Sequence, residues 1–447
     1  MAARLFPGSC PPALGDLVQE LQEWPEVWAL RLGGSVARGQ ADEFSDVEFY
    51  AACTSIPPLD RRRTFILRRK DRGTAFFVDE PALGGVLDTF QEAGCPVTLV
   101  FQEIGTIEQG IAELLAGSDL GREKEMVFGQ EIRTGQILYD AHGLAATWQA
   151  QIQRYPARRQ AAVRSGLERW QRHIALEWAA TSDDPLWAAY RLQDTWEWLV
   201  HGLCARHGHY YIGPKRALSY LAAFVERPAL ARLSESWSNP LSPRSLLALW
   251  QQMSAEILAQ GQEESQLQAG TLEPVREVDR LSRPRTSQAP LEKGQRQRRW
   301  GPPTDLRSQD PQRETLLAAF RRGCDYLIEP LYIAARRGDA TGFLYCQKKV
   351  LEALIQVLWP LQGWHWAGPL TWMPGMRQLR SLRWAPPALY DRLCPLWAGR
   401  FHQESLMERQ RQWLELWSEL VPRIYQRFPE VDLKSEERTL FQAWSKD

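Results

Sequence analysis

Two acidic residues one position apart follow a pair of glycines near the start of the chain, in the stretch LRLGGSVARGQADEFSDVEFY from Leu30 to Tyr50. The apolar run before the glycines predicts a strand. Gly33 and Gly34 permit a tight turn, and Ser35 is placed to cap a short helix. A turn of this kind directs backbone N–H groups and the positive end of a helix dipole at one point. The stretch therefore predicts a phosphate-binding turn.

Asp46 and Glu48 follow this turn and are predicted on one face of the next strand, because residues two apart in a strand point the same way. Two carboxylates this close repel each other, and a divalent cation between them removes the repulsion. Mg²⁺ prefers oxygen ligands and leaves room for phosphate oxygens. The two features together predict a Mg²⁺ site that acts on a nucleoside triphosphate. Each feature alone has an ordinary interpretation, as a plain turn or as a solvated strand edge.

Three of the polar residues between the turn and the acids are candidates for a role at the site. Arg38 directly follows the turn and is either a phosphate ligand or a surface arginine. Asp42 and Ser45 are predicted to shape the loop into the second strand through local hydrogen bonds to the backbone. We therefore expect these two to be structural.

The combined pattern GGSVARG…DEFSDVEF resembles the signature of the nucleotidyltransferases of the DNA polymerase beta superfamily. Kanamycin nucleotidyltransferase-like enzymes share the Ser-Asp-x-Glu order found here. Two later segments, GQILYDAHGLAATWQAQIQRYPARR and LCARHGHYYIGPKRALSYLAAF, look like the helical tail of uncharacterised members of that superfamily. The resemblance implies an enzyme that transfers a nucleoside monophosphate from ATP or another NTP to a hydroxyl acceptor and releases pyrophosphate.

The resemblance also implies roles for single residues. Asp46 and Glu48 would hold Mg²⁺ and be catalytic. A second set would bind the triphosphate: Gly33, Gly34, Ser35 and Lys215, with Tyr211 beside Lys215. The ordinary alternative for Lys215 is an exposed lysine at the start of a helix.

One position departs from the family pattern. The family usually carries a third acid on a later strand, where this chain has Thr98 in CPVTLVFQE. A neutral hydroxyl is neither a general base nor a full metal ligand. Glu103 on the same strand, or Glu168 or Glu177 from the next helical region, are candidate replacements. The alternative is a catalytically silent nucleotide-binding or protein-interaction module with tandem helical domains.

The elements that must position these residues change character along the chain. Only Trp24 and Trp28 of the 20 tryptophans precede Trp148. Before that point, short β-prone runs alternate with helical pieces (VWALRLGG, DVEFYAAC, TAFFVDE, CPVTLVFQE), and after it helical spacing dominates. We predict an α+β protein, with a small nucleotidyltransferase domain of mixed sheet and flanking helices at 1–147. One or two helical-bundle domains follow.

The helical part is predicted in two pieces, 148–261 and 313–447, joined by a polar, proline-dotted disordered linker at 262–312. HYYIGPKR, around Gly213 and Pro214, matches WHWAGPLT, around Gly368 and Pro369. The second piece is thus either a degenerate repeat of the first or similar by chance. Only the first copy carries the charge of Lys215.

Bulk composition limits the partners. The 447 residues carry 54 basic and 54 acidic side chains, so no polyanionic partner is implied and no DNA is expected. Seven cysteines without a CxxC favour a reducing cytoplasm, and no apolar run is long enough for a membrane span. The expected partners are a nucleoside triphosphate and an acceptor. A small molecule is the first expectation for the acceptor, with a protein hydroxyl or an RNA end as alternatives.

Overall fold

The computed structural model describes residues 13–70, 75–82, 85–118, 121–181, 184–228, 231, 248–258, 310–363, 376–397 and 401–434. The chain forms two units. The first contains Met1–Ala175 and Asp194–Ser234, and the second contains Leu176–Gln193 and Glu235–Asp447. The predicted α+β class is confirmed, since a mixed sheet with flanking helices is followed by a long series of helices. In the described ranges, no helix has the length and apolar character needed to cross a membrane.

The sheet lies in the first unit and has six strands in the order β3-β4-β5-β2-β1-β6. They are β1 Val27–Leu32, β2 Val47–Cys53, β3 Phe76–Ala82, β4 Gly85–Glu92, β5 Cys95–Glu103 and β6 Gln136–Asp140. Strands β2 and β5 pair in parallel, whereas the other neighbours are antiparallel. The site strand β2 is therefore central and hydrogen-bonded on both sides.

Helices of the first unit surround this sheet. They are α1 Ala13–Gln22, α2 Gly34–Ala37, α3 Leu59–Arg69, α4 Ile104–Ala116, α5 Arg122–Glu125, α6 Glu131–Thr134, α7 Leu144–Ile152 and α10 Ala217–Leu221. A π-helical turn, Met126–Gln130, joins α5 to α6. Two longer helices, α8 Ala157–Thr181 and α9 Pro185–Arg206, contribute residues to both units.

Successive side chains of the central strands belong to two different apolar clusters. Leu30 and Phe49 belong to a cluster with residues of α1, α3 and β5. Ala29 and Ala52 belong to another with residues of α4, α7 and the π-helical turn. Since successive side chains in a strand point to opposite faces, both faces of β1 and β2 are packed. This packing holds the strands rigidly beneath the site.

The four predicted strands are confirmed within a few residues, but the sequence reading missed β4 and β6. Strand β4 is interrupted by a charge, Asp88, that hides its apolar pattern. The structure buries Asp88 fully against the equally buried Arg62, 2.5 Å away. Strand β6 is an edge strand with half-buried side chains, and it lay in a segment interpreted as helical tail.

The described part of the second unit is helical. Its elements beyond α9 are α11 Asp310–Ile328, α12 Pro330–Arg337, α13 Ala340–Leu361, a 3₁₀ turn Arg377–Ser381, α14 Leu389–Leu396, α15 Gln403–Ser418 and α16 Leu420–Arg427. Trp413 and Trp417, four residues apart on α15, are fully buried. Asp184 precedes α9 and accepts hydrogen bonds from the Tyr390 hydroxyl and the backbone N–H of Met376.

The domain boundaries after residues 147 and 261 stay predictions. Most of the predicted linker, 262–309, lies outside the described residues, and α11 begins at Asp310. Gly368 and Pro369, which carry the second copy of the suspected repeat, also lie outside them. The repeat is therefore still a prediction.

Candidate active site

Strand β2 positions the two acids. Asp46 directly precedes the strand and Glu48 is its second residue. Glu48 pairs in register with Thr98 of β5. Because strand side chains alternate, Asp46, Glu48 and Tyr50 share one face. The structure thus brings the two predicted acids together.

The glycine turn packs directly on the second of these acids. Gly33 donates its N–H to the Glu48 carbonyl at 2.8 Å, which ties the turn to β2. Gly34 has φ +63°, and a Cβ there would lie 1.7 Å from Glu48 Oε2. A Cβ at Gly33 would meet the Tyr50 ring at 2.3 Å. Both positions therefore require glycine, one for backbone conformation and space, the other for space.

The prediction that Ser35 caps the following helix is wrong. Helix α2 has only four residues, its N-cap is Gly33, and no side chain caps it. Ser35 lies one residue inside the helix because the left-handed Gly34 starts the turn earlier than a serine cap would. A single helical turn carries little dipole, so the phosphate argument depends on individual donors rather than on a helix terminus.

Glu131, on the first turn of α6, was missed by the sequence reading and lies in the centre of the site. Its Oε2 accepts the Gly34 N–H at 2.8 Å, and its Oε1 accepts the Arg38 guanidinium at 2.7 Å. Glu131 is 5% exposed. The only signal in the sequence was an acid among residues that pack inward in FGQEIRTG, such as Phe128 and Ile132.

Glu48 is surrounded by more negative than positive charge. Burial, then Asp46 and Glu131, raise the pKa of Glu48 to about 8, against a smaller opposite effect of Lys215 and Arg38. The side chain of Glu48 is half-buried and keeps some solvent contact. Burial and the neighbouring acids thus favour the protonated form of Glu48, and a cation bound beside it would act in the opposite direction.

A buried arginine lies on the same face. Arg31 is 1% exposed, and its guanidinium donates to the Glu131 carbonyl at 3.3 Å and lies over the Tyr50 ring. Burial lowers the pKa of Arg31 to about 10, although Tyr50 and Glu131 act in the opposite direction. This side chain anchors the backbone of α6 beside the turn.

Thr98 occupies the place where the family resemblance led us to expect an acid. Its hydroxyl donates to Asp46 Oδ2 at 2.7 Å, so it orients the first carboxylate. Glu103 is exposed and pairs in register with Cys53, at the other end of β2 from the acids. Glu168 lies on α8 with its side chain 44% exposed, and it pairs with Arg164 at 3.5 Å. The side chain of Glu177 lies outside the described part of the chain.

Lys215 approaches from the segment after α9. It is exposed, and it lies near enough to Glu48 to lower the pKa of that carboxyl. The neighbouring Arg216 holds the segment in place, since its guanidinium donates to the Gln40 carbonyl and to Asp42. The structure therefore brings Lys215, separated from the acids in sequence, into the same site.

The loop before β2 has the predicted local hydrogen bonds. The Ser45 hydroxyl accepts the Asp42 N–H at 2.9 Å and donates to Asp42 Oδ1 at 2.9 Å. Asp42 Oδ1 also accepts the Phe44 N–H at 3.1 Å. The structural role predicted for Asp42 and Ser45 is confirmed, and it shapes the entry to the acid pair.

A second buried carboxylate, Glu125, supports the segment that carries Lys215. It accepts hydrogen bonds from Arg159 at 2.6 Å and from the Tyr211 N–H at 3.2 Å, and its Oε2 lies 2.9 Å from His201 Nε2. Tyr211, which the resemblance placed near the triphosphate, is 1% exposed with its ring against His201. Its role in this structure is to fix the chain entering the Lys215 turn.

The donor set is compatible with Mg²⁺. Asp46 and Glu48 offer hard oxygen ligands at a site where burial, Asp46 and Glu131 outweigh Lys215 and Arg38 in their effect on the pKa of Glu48. Within the described ranges, no group of three or more His, Cys, Asp or Glu residues is arranged to hold a metal ion. A metal held by this pair would therefore complete its coordination with water and phosphate oxygens, as Mg²⁺ commonly does.

Comparison with known proteins adds little. No family model and no curated protein matches the chain. Among solved structures, the chain is similar to a nucleotidyltransferase-like protein from Exiguobacterium sibiricum, with a TM-score of 0.32 and 11% identity. The match covers 56% of this chain and 74% of the other. A similarity of this size concerns the fold at most and assigns no activity.

Proposed function

We propose that this chain is a Mg²⁺-dependent nucleotidyltransferase that uses ATP or another NTP. The observation that carries the proposal is the environment of Glu48. Its carboxyl packs on a left-handed glycine between two other acids, and its pKa is raised to about 8. Placing three acids close together costs folding free energy, and a purely structural role for Glu48 would not require it. In a cation-binding site, the same negative charges attract the cation and so strengthen its binding.

Asp46 and Glu48 would hold the metal, with Thr98 orienting Asp46. Bound there, Mg²⁺ would neutralise charge on phosphate oxygens and on the leaving pyrophosphate. Gly33 keeps its N–H on the Glu48 carbonyl, so its role would be to let the Tyr50 ring and the turn pack closely. The phosphates would be bound by the remaining donors: the Gly34 N–H, the Ser35 hydroxyl, Arg38 and Lys215.

In the reaction we propose, the oxygen of an acceptor hydroxyl bonds to the α-phosphorus, and its proton passes to water. The bond from that phosphorus to the oxygen of pyrophosphate breaks. The positive side chains Lys215 and Arg38 would hold the β- and γ-phosphates in place for this displacement. The proposed acceptor is a small molecule, with a protein hydroxyl or an RNA end as alternatives.

A second candidate function is a catalytically silent nucleotide-binding or interaction module. Two observations favour it. Thr98 stands where the family places its third acid, and the Gly34 N–H is already hydrogen-bonded to Glu131. Such a protein would still bind a nucleotide with a metal but would transfer nothing.

The first experiment is calorimetric titration of the full chain with a non-hydrolysable ATP analogue, with and without Mg²⁺. We expect binding that requires the metal and that is lost in the double variant Asp46→Asn with Glu48→Gln. Unchanged binding in the double variant would refute the site. Binding without transfer of label from α-labelled NTPs to any acceptor would favour the silent module.

A matched control is Glu92→Gln. The side chain of Glu92 is 6% exposed and pairs with Arg69 at 2.6 Å, in the same unit as the site. The substitution removes a buried acid from strand β4 without touching β2. We expect nucleotide binding to survive it, which separates loss of the site from a general effect of removing buried charge.

A further inference from the structure

The carboxylate of Glu131 occupies two donors that the proposed function assigns to phosphate. Its two oxygens are each held by a different group, the Gly34 N–H at 2.8 Å and the Arg38 guanidinium at 2.7 Å. A backbone N–H beside an arginine is a usual combination for binding a phosphate oxygen. The Glu131 carboxylate therefore takes the place at the turn that a phosphate oxygen would take.

Charge makes this arrangement exclusive. Glu131 is 5% exposed and lies near enough to Glu48 to raise the pKa of that carboxyl. A phosphate entering the turn would add further negative charge at the same donors, and like charges that close repel strongly. A phosphate oxygen therefore cannot take the Gly34 N–H and the Arg38 Nη1 donor while the Glu131 carboxylate holds both.

The backbone of Glu131 is fixed independently of its side chain. Its carbonyl accepts hydrogen bonds from Arg31 at 3.3 Å and from the Gly135 N–H at 3.1 Å. These backbone hydrogen bonds do not involve the Glu131 side chain, so withdrawal of the carboxylate requires rotation about side-chain bonds and no break in α6.

We propose that Glu131 is an internal competitor for the phosphate groups of the nucleotide, so that a phosphate reaches the Gly34 N–H and Arg38 only when this carboxylate withdraws. The inference depends on the proposed function for the identity of the ligand. It adds that Glu131 controls whether the phosphate groups of that ligand can bind. The free energy of nucleotide binding to the wild-type chain would then be reduced by the free energy needed to displace the Glu131 carboxylate from the two donors.

The test uses inorganic tripolyphosphate without metal, titrated calorimetrically into the full chain and into Glu131→Gln. Glutamine has nearly the same shape, and its amide oxygen still accepts the Gly34 N–H, so the turn is kept. The charge-assisted bond to Arg38 is lost. Because such bonds are roughly twice as strong as neutral ones, we expect about tenfold tighter binding to the variant.

Glu92→Gln is again the matched control. It removes one buried negative charge from an arginine pair in the same unit but leaves the turn intact. A general loss of repulsion would tighten tripolyphosphate binding equally in both variants, and that result would overturn the proposal. Tightening confined to the Glu131 variant supports it.

Two other outcomes would also overturn the proposal. Equal, weaker or absent tripolyphosphate binding in Glu131→Gln would mean that Glu131 braces the turn. A selective loss of Mg²⁺-dependent ATP-analogue binding in this variant would mean that Glu131 helps to hold the metal or the nucleotide. Glu131→Asp, which keeps the charge but shortens the reach to both donors, provides a second variant. We expect about two- to threefold tighter tripolyphosphate binding to it.

Failure of this inference is distinct from failure of the proposed function. Tripolyphosphate carries no nucleobase and is titrated without metal, so its binding depends only on the phosphate donors of the turn, Arg38 and Lys215. Metal-dependent ATP binding that does not require Asp46 and Glu48 would refute the proposed function and leave the tripolyphosphate result readable.

Discussion

Glu48 and Glu125 are both glutamates of the first unit, but they lie in opposite electrostatic environments. Burial alone would raise the pKa of Glu125, but His201 and Arg159 outweigh it and lower that pKa to about 2. Burial raises the pKa of Glu48 to about 8, and neighbouring Asp46 and Glu131 act in the same direction. Neighbouring cations and donors of the protein therefore stabilise the ionised form of Glu125, whereas the surroundings of Glu48 disfavour its ionised form.

The difference separates an acid with a structural role, Glu125, from Glu48, for which we propose a role in metal binding. Donors and cations surround Glu125, which fixes the backbone of Tyr211 and so the Lys215 segment. Acids surround Glu48, and its nearest compensating charges are Lys215 and Arg38. A protein keeps such an imbalance where a ligand removes it.

The largest effect is expected at the satisfied carboxylate. Glu125→Gln leaves the buried Arg159 guanidinium without its counter-charge and weakens the contact to His201, so we expect a loss of about 3–5 kcal/mol in the free energy of unfolding at pH 7. Because the folded pKa of Glu125 is lowered, this loss should shrink as the pH falls from about 4.5 toward 2. Urea unfolding at several pH values measures it, and a change below about 0.5 kcal/mol at pH 7 would break the comparison.

The next effect concerns the glycine packed on Glu48. Gly34→Ala must place a Cβ on Glu48 Oε2 in a left-handed conformation, and we expect a cost of about 2–3 kcal/mol with loss of Mg²⁺ binding. Gly39→Ala is the control, since Gly39 has φ +66° and open space around it. We expect about 1 kcal/mol there and intact metal binding. Equal effects in thermal unfolding would show that backbone strain alone matters.

A smaller effect of opposite sign is expected at Glu48 itself. The folded pKa of about 8 lies above the ordinary 4.5, so ionisation destabilises the folded chain as the pH rises through that window. Glu48→Gln stays neutral and should be more stable than wild type by about 1–2 kcal/mol at pH 8, allowing for solvent contact. The gain should vanish below pH 4. Destabilisation by Glu48→Gln at pH 8 would contradict a cation-deficient site.

The smallest effect is expected at Thr98. Thr98→Val keeps the shape but removes the hydrogen bond to Asp46, which costs about 1 kcal/mol. If Asp46 is a metal ligand, Mg²⁺ affinity should fall severalfold because its orientation is lost. Calorimetric titration with Mg²⁺ and the ATP analogue measures this. An unchanged affinity would assign Thr98 to packing alone.

Much of the site could be predicted from local pattern. The alternation in DVEFY gave the common face of Asp46 and Glu48, and the glycine pair gave the turn. Ser35 failed as a cap because Gly34 takes a left-handed conformation that local propensity did not reveal. Strand β4 was missed because Asp88 is buried through an ion pair with Arg62 from another element.

The sequence by itself determined which residues share a strand face, where glycine is needed and that the chain is α+β, because these follow from periodicity and backbone sterics over short distances. Only the tertiary structure decided that Glu131, 97 positions from Gly34, takes the turn's donors. It also decided that Lys215 reaches the acids and that Glu125 is neutralised where Glu48 is not. Charge balance at a site depends on which distant elements pack together, and no local pattern records that.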